Sequence, residues 1–240
     1  MSINKKFKII GISHIAIQPS NMKASLDFYK KHGFEIDFII QEKVPLKKKF
    51  LYKNNPTKVK SFFLKHKFVK MIKIELLSHN RVDTSHYNNF KLKIYSPHII
   101  KKIFLKDPDN NEILFDKKKI FRQELLIYVS NWLKTAKYLI ANYSDRNLSK
   151  NIKPFYYFKS NLIKEWSLKI KIKQVNNKKT LFLNSLGLTC ISFISLFKKK
   201  ISYYEIFKVI KKNNNKINTA RLSFNKSNRF LIEEYFDYRS

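Results

Sequence analysis

The chain contains one cysteine, three glycines and no apolar run long enough to cross a membrane. A single thiol, Cys190, excludes an internal disulfide and is typical of a reducing compartment, so we expect a cytoplasmic protein. The glycines, Gly11, Gly33 and Gly187, are too widely separated for a loop that cradles phosphate groups. A membrane-spanning helix needs about 20 consecutive apolar residues, and the basic N-terminal stretch has no small-residue cleavage site. We therefore expect neither a signal peptide nor a membrane partner.

Acidic residues are scarce: 17 Asp and Glu stand against 50 Lys and Arg, which gives a formal net charge of +33. Only six of the basic residues are Arg, while Lys, Asn, Ile, Phe and Tyr, which A- and T-rich codons encode, are abundant. Proteins that read nucleic-acid sequence favour Arg for its bidentate hydrogen bonding. We interpret the charge of this basic protein mainly as compositional drift and expect no specific nucleic-acid partner. Polyanion binding is the alternative.

A strand–helix unit opens the chain, which at 240 residues can bury one large core or two smaller ones. Residues 7–18 alternate apolar and polar positions, which predicts a strand. Asn21 is placed to cap a helix whose apolar face carries Met22, Leu26 and Tyr29, and Gly33 suits the left-handed position after it. Three further strands are predicted in "FEIDFII", "VKSFFLKH" and "VKMIKIELLS".

The second half of the chain repeats this pattern. Residues 124–139, "ELLIYVSNWLKTAKYL", can be laid without gaps on residues 14–29, "HIAIQPSNMKASLDFY". We predict an internal duplication of about 110 residues, with one domain at residues 1–117, whose second module is truncated, and a diverged domain at 118–240. Within the second domain we predict a helix over residues 200–215 and a closing hairpin from "TARLSF" and "RFLIEEYFDY".

Three phrases carry a family resemblance: "ISHIAIQPSNMKASLDFYKKHGFEI", "IELLS" and "DPDNNEILF". They resemble the opening strand and helix, a ligand-bearing strand and the closing hairpin of the vicinal oxygen chelate superfamily. That superfamily includes glyoxalase I, bleomycin-resistance proteins and extradiol dioxygenases. The tandem arrangement is similar to CppA-type two-domain glyoxalase-like proteins. The resemblance implies an α+β fold of paired βαβββ modules, in which curved mixed sheets enclose a cleft.

The resemblance also implies a metal site. His14 matches the first-strand histidine, and Glu75 matches the glutamate of the module-ending strand, which makes Glu75 the implied catalytic residue as well. An imidazole and a carboxylate suit one divalent Zn, Fe, Mn or Ni ion, which would act as a Lewis acid on two substrate oxygens. Lys91 and Leu114 stand where a second histidine and a second glutamate would be expected, and neither can replace a metal ligand.

The second copy offers a different set of residues at the corresponding positions. They are Glu124, Phe182, Cys190 and Glu233, of which Glu124, Cys190 and Glu233 would form an unusual mixed metal site. For Cys190 the alternative is a small core residue.

The resemblance implies two classes of function. One is a metal-dependent lyase, isomerase or dioxygenase of the glyoxalase type. The other is a metal-free small-molecule binding or resistance protein, in which His14 is a buried, hydrogen-bonded side chain. In both, the positive charge favours an anionic or neutral ligand, and the cleft is completed either within one chain or by a homodimer. His79 and His86 are expected to be solvated loop residues. The aromatic run "FYYF" at 155–158 is expected to be core or strand packing, with the lining of a ligand cleft as the alternative.

Overall fold

The computed structural model describes residues 8–44, 52–67, 73–143, 152–159, 166–175, 185–196, 206–207, 217–224 and 231–237. Two helices and fifteen strands lie within these ranges and confirm an α+β protein. In chain order they are β1 (Lys8–Gln18), α1 (Met22–Lys31), β2 (Phe34–Lys43), β3 (Lys58–His66), β4 (Lys73–His79), β5 (Asp83–Asn88), β6 (Lys91–Ser96), β7 (Ile103–Lys106), β8 (Glu112–Lys117), β9 (Phe121–Val129), α2 (Trp132–Tyr143), β10 (Phe155–Lys159), β11 (Trp166–Gln174), β12 (Ser185–Leu196), β13 (Ile206–Phe207), β14 (Ile217–Phe224) and β15 (Leu231–Asp237).

The opening strand–helix unit forms where the sequence predicts it. The Asn21 side chain accepts a hydrogen bond of 3.0 Å from the backbone N–H of Ala24, which satisfies one of the free donors at the start of α1. Gly33 follows the helix at φ +86°, a left-handed conformation that a side chain would disfavour. α2 begins in the same way, because the Asn131 side chain accepts from the N–H of Lys134 at 2.9 Å.

The strands form two mixed sheets. Sheet A has the order β13-β14-β15-β12-β1-β4-β3-β2, with β5 also paired to β12. Sheet B has the order β10-β11-β9-β6-β8-β7. β1 is central in sheet A, antiparallel to β12 and parallel to β4. In sheet B, β9 is antiparallel to β6 and parallel to β11.

Each sheet contains strands from both sides of residue 117. Strands β1–β4 share sheet A with β12–β15, while β6–β8 share sheet B with β9–β11. The shortened unit that contains β6–β8 therefore does not pair with the unit that precedes it in the chain. The first unit is instead continued by the second half of the chain, because β12 lies beside β1.

The core lies between the two sheets. One buried cluster contains side chains of sheet A, of sheet B and of both helices, including Ile15, Ile17, Ile74, Leu92, Leu125, Ile127, Tyr29 and Leu139. Phe34 and Phe115, one from each sheet, have ring centroids 6.2 Å apart. The face of each sheet that bears the core residues is called its inner face. The opposite faces, called outer, carry the polar residues considered below.

Some elements differ from the sequence-based expectations. β5, "DTSHYN", was not expected to be a strand, since its residues are mostly polar. Of the helix predicted over residues 200–215, the structure describes only Ile206–Phe207, which pair as a short strand with Arg221 and Ala220, so the prediction was wrong there. Phe182 lies outside the described residues.

Among the described helices, neither is long and apolar enough to cross a membrane.

Candidate functional site

His14 lies on the outer face of sheet A with two polar partners. Its Nε2 atom is 3.0 Å from Oε2 of Glu75 and 2.9 Å from Oγ of Ser192. The imidazole packs nearly perpendicular to the ring of Phe63, with centroids 5.0 Å apart and an interplanar angle of 81°. His14 is only 3% exposed, and Ser192 is fully buried. The imidazole is thus held in one orientation by a carboxylate, a hydroxyl and an aromatic ring.

The strand register explains why these side chains meet. β1 pairs with β4 so that His14 lies opposite Lys73 and Ala16 lies opposite Glu75. β1 pairs with β12 so that His14 lies opposite Ser192. Paired residues project from the same face of a sheet. The central position of β1 therefore brings together residues separated by up to 178 positions along the chain.

The same register shows a pseudo-two-fold relation within sheet A. Ala16 lies opposite Cys190, and in the parallel pair of β12 and β15, Cys190 lies opposite Leu231 and Ser192 opposite Glu233. By this two-fold relation, Cys190 of β12 corresponds to His14 of β1, and Ser192 corresponds to Ala16. Glu233 of β15 then corresponds to Glu75 of β4. The Cys190 thiol is buried, with its Sγ 3.6 Å from Oγ of Ser192.

Sheet B is built in the same way but carries different residues. Lys91 lies opposite Leu126, which in turn lies opposite Lys171. Lys93 lies opposite both Glu124 and Leu114. The positions in sheet B that correspond to His14, Glu75, Cys190 and Glu233 of sheet A are occupied by Lys91, Leu114, Glu124 and Lys171. The second-copy position of Glu75, which the sequence assigned to Phe182, is thus occupied by Lys171 of β11.

Both carboxylate oxygens of Glu124 form ion pairs. Its Oε1 lies 2.8 Å from Nη2 of Arg122, and its Oε2 lies 2.9 Å from Nζ of Lys171. Burial alone would raise the pKa of the Glu124 carboxyl, but the hydrogen bond and charge of Lys171, together with Arg122 and Lys169, hold the pKa below its usual value. Glu124 is on the outer face of sheet B. The structure therefore does not bring it together with Cys190 and Glu233, which are in sheet A.

The spacing of His14 and Glu75 is that of a direct ion pair or hydrogen bond, with Nε2 and Oε2 3.0 Å apart. It also allows two ligands about 2.1 Å from one metal ion if they bind at about right angles, a narrower angle than that of a tetrahedral zinc site. Among the described side chains no group of three or more His, Cys, Asp or Glu residues is close enough to hold a metal. The side chain of Glu233 is outside that description.

A serine-nucleophile arrangement does not fit the geometry. In such a triad the acid orients one ring nitrogen while the other nitrogen contacts the serine. Here both Glu75 and Ser192 contact the same atom, Nε2 of His14. Ser192 therefore helps to orient the His14 ring and is not placed as a nucleophile that this ring activates. The sequence contains no pattern that distinguishes Ser192 from other serines in strands.

His79 is a further polar residue of this face. It ends β4, is 6% exposed, and its Nδ1 lies 2.6 Å from Oε1 of Gln18. The expectation of a solvated loop histidine was wrong for His79, because β4 continues one residue beyond "IELLS" and its alternation places residue 79 on the same face as Glu75. Extending the predicted strand by one residue would have placed His79 on the same face as Glu75.

Solved structures supply the comparison. No family model and no curated protein matches the chain. A glyoxalase I variant from Zea mays superposes with a TM-score of 0.51 and 11% identity, covering 95% of this chain and 92% of that one. A CppA protein from Streptococcus pneumoniae superposes with a TM-score of 0.48 and 10% identity, covering 95% of this chain and 98% of that one. Identity this low indicates the fold and not the activity. With two mixed sheets and a superposition on the maize protein over nearly its whole length, the chain has a glyoxalase-like fold.

Proposed function

We propose that the chain acts on a small molecule at the outer face of sheet A, where His14 and Glu75 hold one divalent metal ion. The observation that carries the proposal is the 3.0 Å separation of their Nε2 and Oε2 atoms at the centre of a pseudo-symmetric pair of strands. Cys190 and Glu233 occupy the two related positions and are the proposed further ligands. A thiolate and a carboxylate complete a mixed set that suits zinc, iron, manganese or nickel.

The protein's own groups have separable roles in this proposal. Phe63 and Ser192 fix the plane of the imidazole, which directs Nε2 toward Glu75. The Glu75 side chain is 12% exposed, so that it is shielded while still accessible to a ligand, and as a carboxylate it can accept a substrate proton. The bound metal would supply Lewis-acid polarisation of substrate oxygens. A lyase, isomerase or dioxygenase of the glyoxalase type is the proposed reaction class.

A metal-free binding protein is the second candidate. It is favoured by the hydrogen bonding of His14, whose Nε2 already has Glu75 and Ser192 as partners. In this case the same face would hold a small anionic or neutral molecule without catalysis. A cytoplasmic location and assembly as a homodimer stay predictions in both cases, the first resting on the single buried thiol.

Metal analysis of the purified protein separates the two candidates. We expect about one equivalent of metal per chain in the wild type, and at least about a 10-fold weaker metal affinity in His14→Ala and Glu75→Gln, because each change removes a ligand. His98→Ala is the matched control, since His98 is exposed and lies in sheet B's half of the molecule. Metal-free wild-type protein that still binds a small molecule at this face would establish the second candidate instead.

A further inference from the structure

The outer face of sheet B carries a dense set of charged and aromatic side chains. Pairing across the sheet aligns one row of residues through Glu124 and a second row through Leu126. The first row contains Phe104, Leu114, Lys93, Glu124, Lys169 and Tyr157, and the second contains Lys106, Glu112, Lys91, Leu126, Lys171 and Phe155. These two rows, with Arg122, Tyr95, Asp116, Tyr128 and Lys173 on the same face, are called the basic face.

Positive charge is in excess on the basic face. Its described basic residues are Lys91, Lys93, Lys106, Arg122, Lys169, Lys171 and Lys173, and its acidic residues are Glu112, Asp116 and Glu124. Glu112 pairs with Lys91 at 2.7 Å, and Glu124 is shared by Arg122 and Lys171. Outside these ion pairs, four lysines of the face, Lys93, Lys106, Lys169 and Lys173, stand against one carboxylate, that of Asp116. The face is therefore suited to a polyanion.

The corresponding face of sheet A provides an internal comparison. On strands β1–β4 its described lysines are Lys65 and Lys73, and both contact Asp37, at 3.4 Å and 2.7 Å. Lys65 also lies 3.3 Å from Glu35. On the described strands of sheet A the lysines of this face are thus matched by carboxylates, whereas on the basic face of sheet B lysines are in excess.

Aromatic rings are interleaved with these cations. The Nζ of Lys169 lies 4.5 Å from the ring centroid of Phe155 and 5.1 Å from that of Tyr157, and Arg122 lies 5.4 Å from the latter ring. Tyr157 is 40% exposed and Phe104, at the opposite edge of the same row, is 59% exposed. Within the run "FYYF", Tyr157 therefore projects from the outer face of sheet B. The Tyr157 ring therefore has two cations, Lys169 and Arg122, close enough to reach the phosphate of a base stacked on it.

We propose that the basic face binds single-stranded nucleic acid without sequence preference. Six strands about 4.8 Å apart span about 24 Å, which exceeds the length of a small metabolite and suits a chain of several nucleotides. Lysines would contact the phosphates, while Phe104, Phe155 and Tyr157 would stack on bases, as aromatic residues do on other sheet surfaces that bind single strands. Arg122 is the only arginine on the described face, and its Nη2 is already bonded to Glu124 and Tyr157. Readout of particular bases is therefore not part of the proposal.

Fluorescence anisotropy with a labelled 20-nucleotide oligothymidylate tests the proposal. We expect binding that weakens steeply with salt, because each lysine–phosphate contact releases a counterion. The triple variant Lys93→Gln/Lys169→Gln/Lys173→Gln should bind at least about 10-fold more weakly. The control triple Lys23→Gln/Lys30→Gln/Lys58→Gln removes the same charge from exposed positions of α1 and β3 and should change affinity less than about 3-fold.

Variants of the aromatic residues test the stacking part separately. Phe104→Ala and Tyr157→Ala should each weaken binding at least about 5-fold at a salt concentration where charge contacts are screened. Equal losses in the two lysine triples would show that net charge alone drives binding and would overturn the proposal. So would a wild-type protein that binds no oligothymidylate at low salt, or aromatic variants with unchanged affinity. None of these results depends on a metal at His14.

Discussion

At the scale of single residues, two glycines have the same backbone conformation but different surroundings. Gly33 and Gly187 have φ values of +86° and +87°. A Cβ at Gly187 would lie 2.3 Å from the backbone oxygen of Asn88 in the neighbouring strand β5, whereas a Cβ at Gly33 would lie 3.2 Å from a side-chain atom of His66. The first contact can be relieved only by separating two strands, and the second by a small movement of a ring.

We therefore predict that Gly187→Ala destabilises the protein more than Gly33→Ala. In both variants the left-handed conformation of a residue with a side chain should lower the free energy of unfolding by about 1–2 kcal/mol. Gly187→Ala should lose a further 1–3 kcal/mol, approximately the cost of overpacking. Urea unfolding measures both losses, and equal values for the two variants would contradict the close approach of β12 to β5.

At the scale of elements, helix α1 is fastened to the turn between β7 and β8. The Tyr29 hydroxyl donates to Oδ2 of Asp107 at 2.9 Å, and both residues are buried. The other oxygen of this carboxyl, Oδ1, accepts from the backbone N–H groups of Asp109 and Asn111. Asp107 thus orders its own turn and holds a helix of the other sheet, so we expect the two functions to be energetically coupled.

A double-mutant cycle tests this coupling. Tyr29→Phe should cost about 1.5–3 kcal/mol of unfolding free energy, the usual loss for a hydrogen bond to a charged group. In an Asp107→Asn background the same change should cost much less, because the hydroxyl has lost its carboxylate acceptor. Additive effects of Tyr29→Phe and Asp107→Asn would contradict a direct bond.

The acid–base behaviour of Asp107 gives a pH dependence. Burial raises its pKa above the usual value, and the hydrogen bonds from Asn111 and Tyr29 only partly oppose this shift. As pH falls from neutral, the folded state then takes up a proton before the unfolded state does, so this group favours folding at low pH and ceases to do so as pH rises through its folded pKa. The stability of wild type relative to Asp107→Asn should therefore increase as pH is lowered from 7 toward 4. A difference that shrinks on acidification would show that the hydrogen bonds dominate.

The sequence predicts these elements well where local rules decide them. Asn21 caps α1, Gly33 ends it, and the Asp-Pro-Asp-Asn turn joins β7 to β8 as its residues indicate. β5 was missed because its residues are polar and it is held by β12, with Ser185 donating to Asp83 at 2.8 Å. Periodicity cannot reveal a strand whose stabilising partner is distant along the chain.

At the scale of the whole molecule, long-range pairing decides where the candidate site lies. His14 and Glu75 could be named from a short motif, and their contact follows from a local strand order. That Cys190 and Glu233 join this sheet, while Glu124 belongs to the other, depends on β12 pairing with β1 across more than half the chain. No spacing in the sequence distinguishes this arrangement from two halves that each close on themselves.

Shared sheets also predict cooperative unfolding. Because each sheet contains strands from both sides of residue 117 and one buried cluster of the described residues joins the sheets, we expect the two halves to unfold together. Tryptophan fluorescence, which reports on Trp132 in α2 and on Trp166 in β11, should give the same urea midpoint as far-ultraviolet circular dichroism. Two separated transitions would indicate independent domains at 1–117 and 118–240.

The pairing of β1 with β12 can be measured directly because the chain has one native cysteine. Ala16 lies opposite Cys190, so oxidation of an Ala16→Cys variant should produce one intramolecular disulfide, seen as a mass loss of about 2 Da and a faster non-reducing mobility. Ile15→Cys, one residue away on the inner face, should stay reduced under the same conditions. Efficient cross-linking in the first variant and none in the second is the result that we predict. No cross-link from Ala16→Cys, or equal cross-linking from both, would contradict a site assembled from the two ends of the chain.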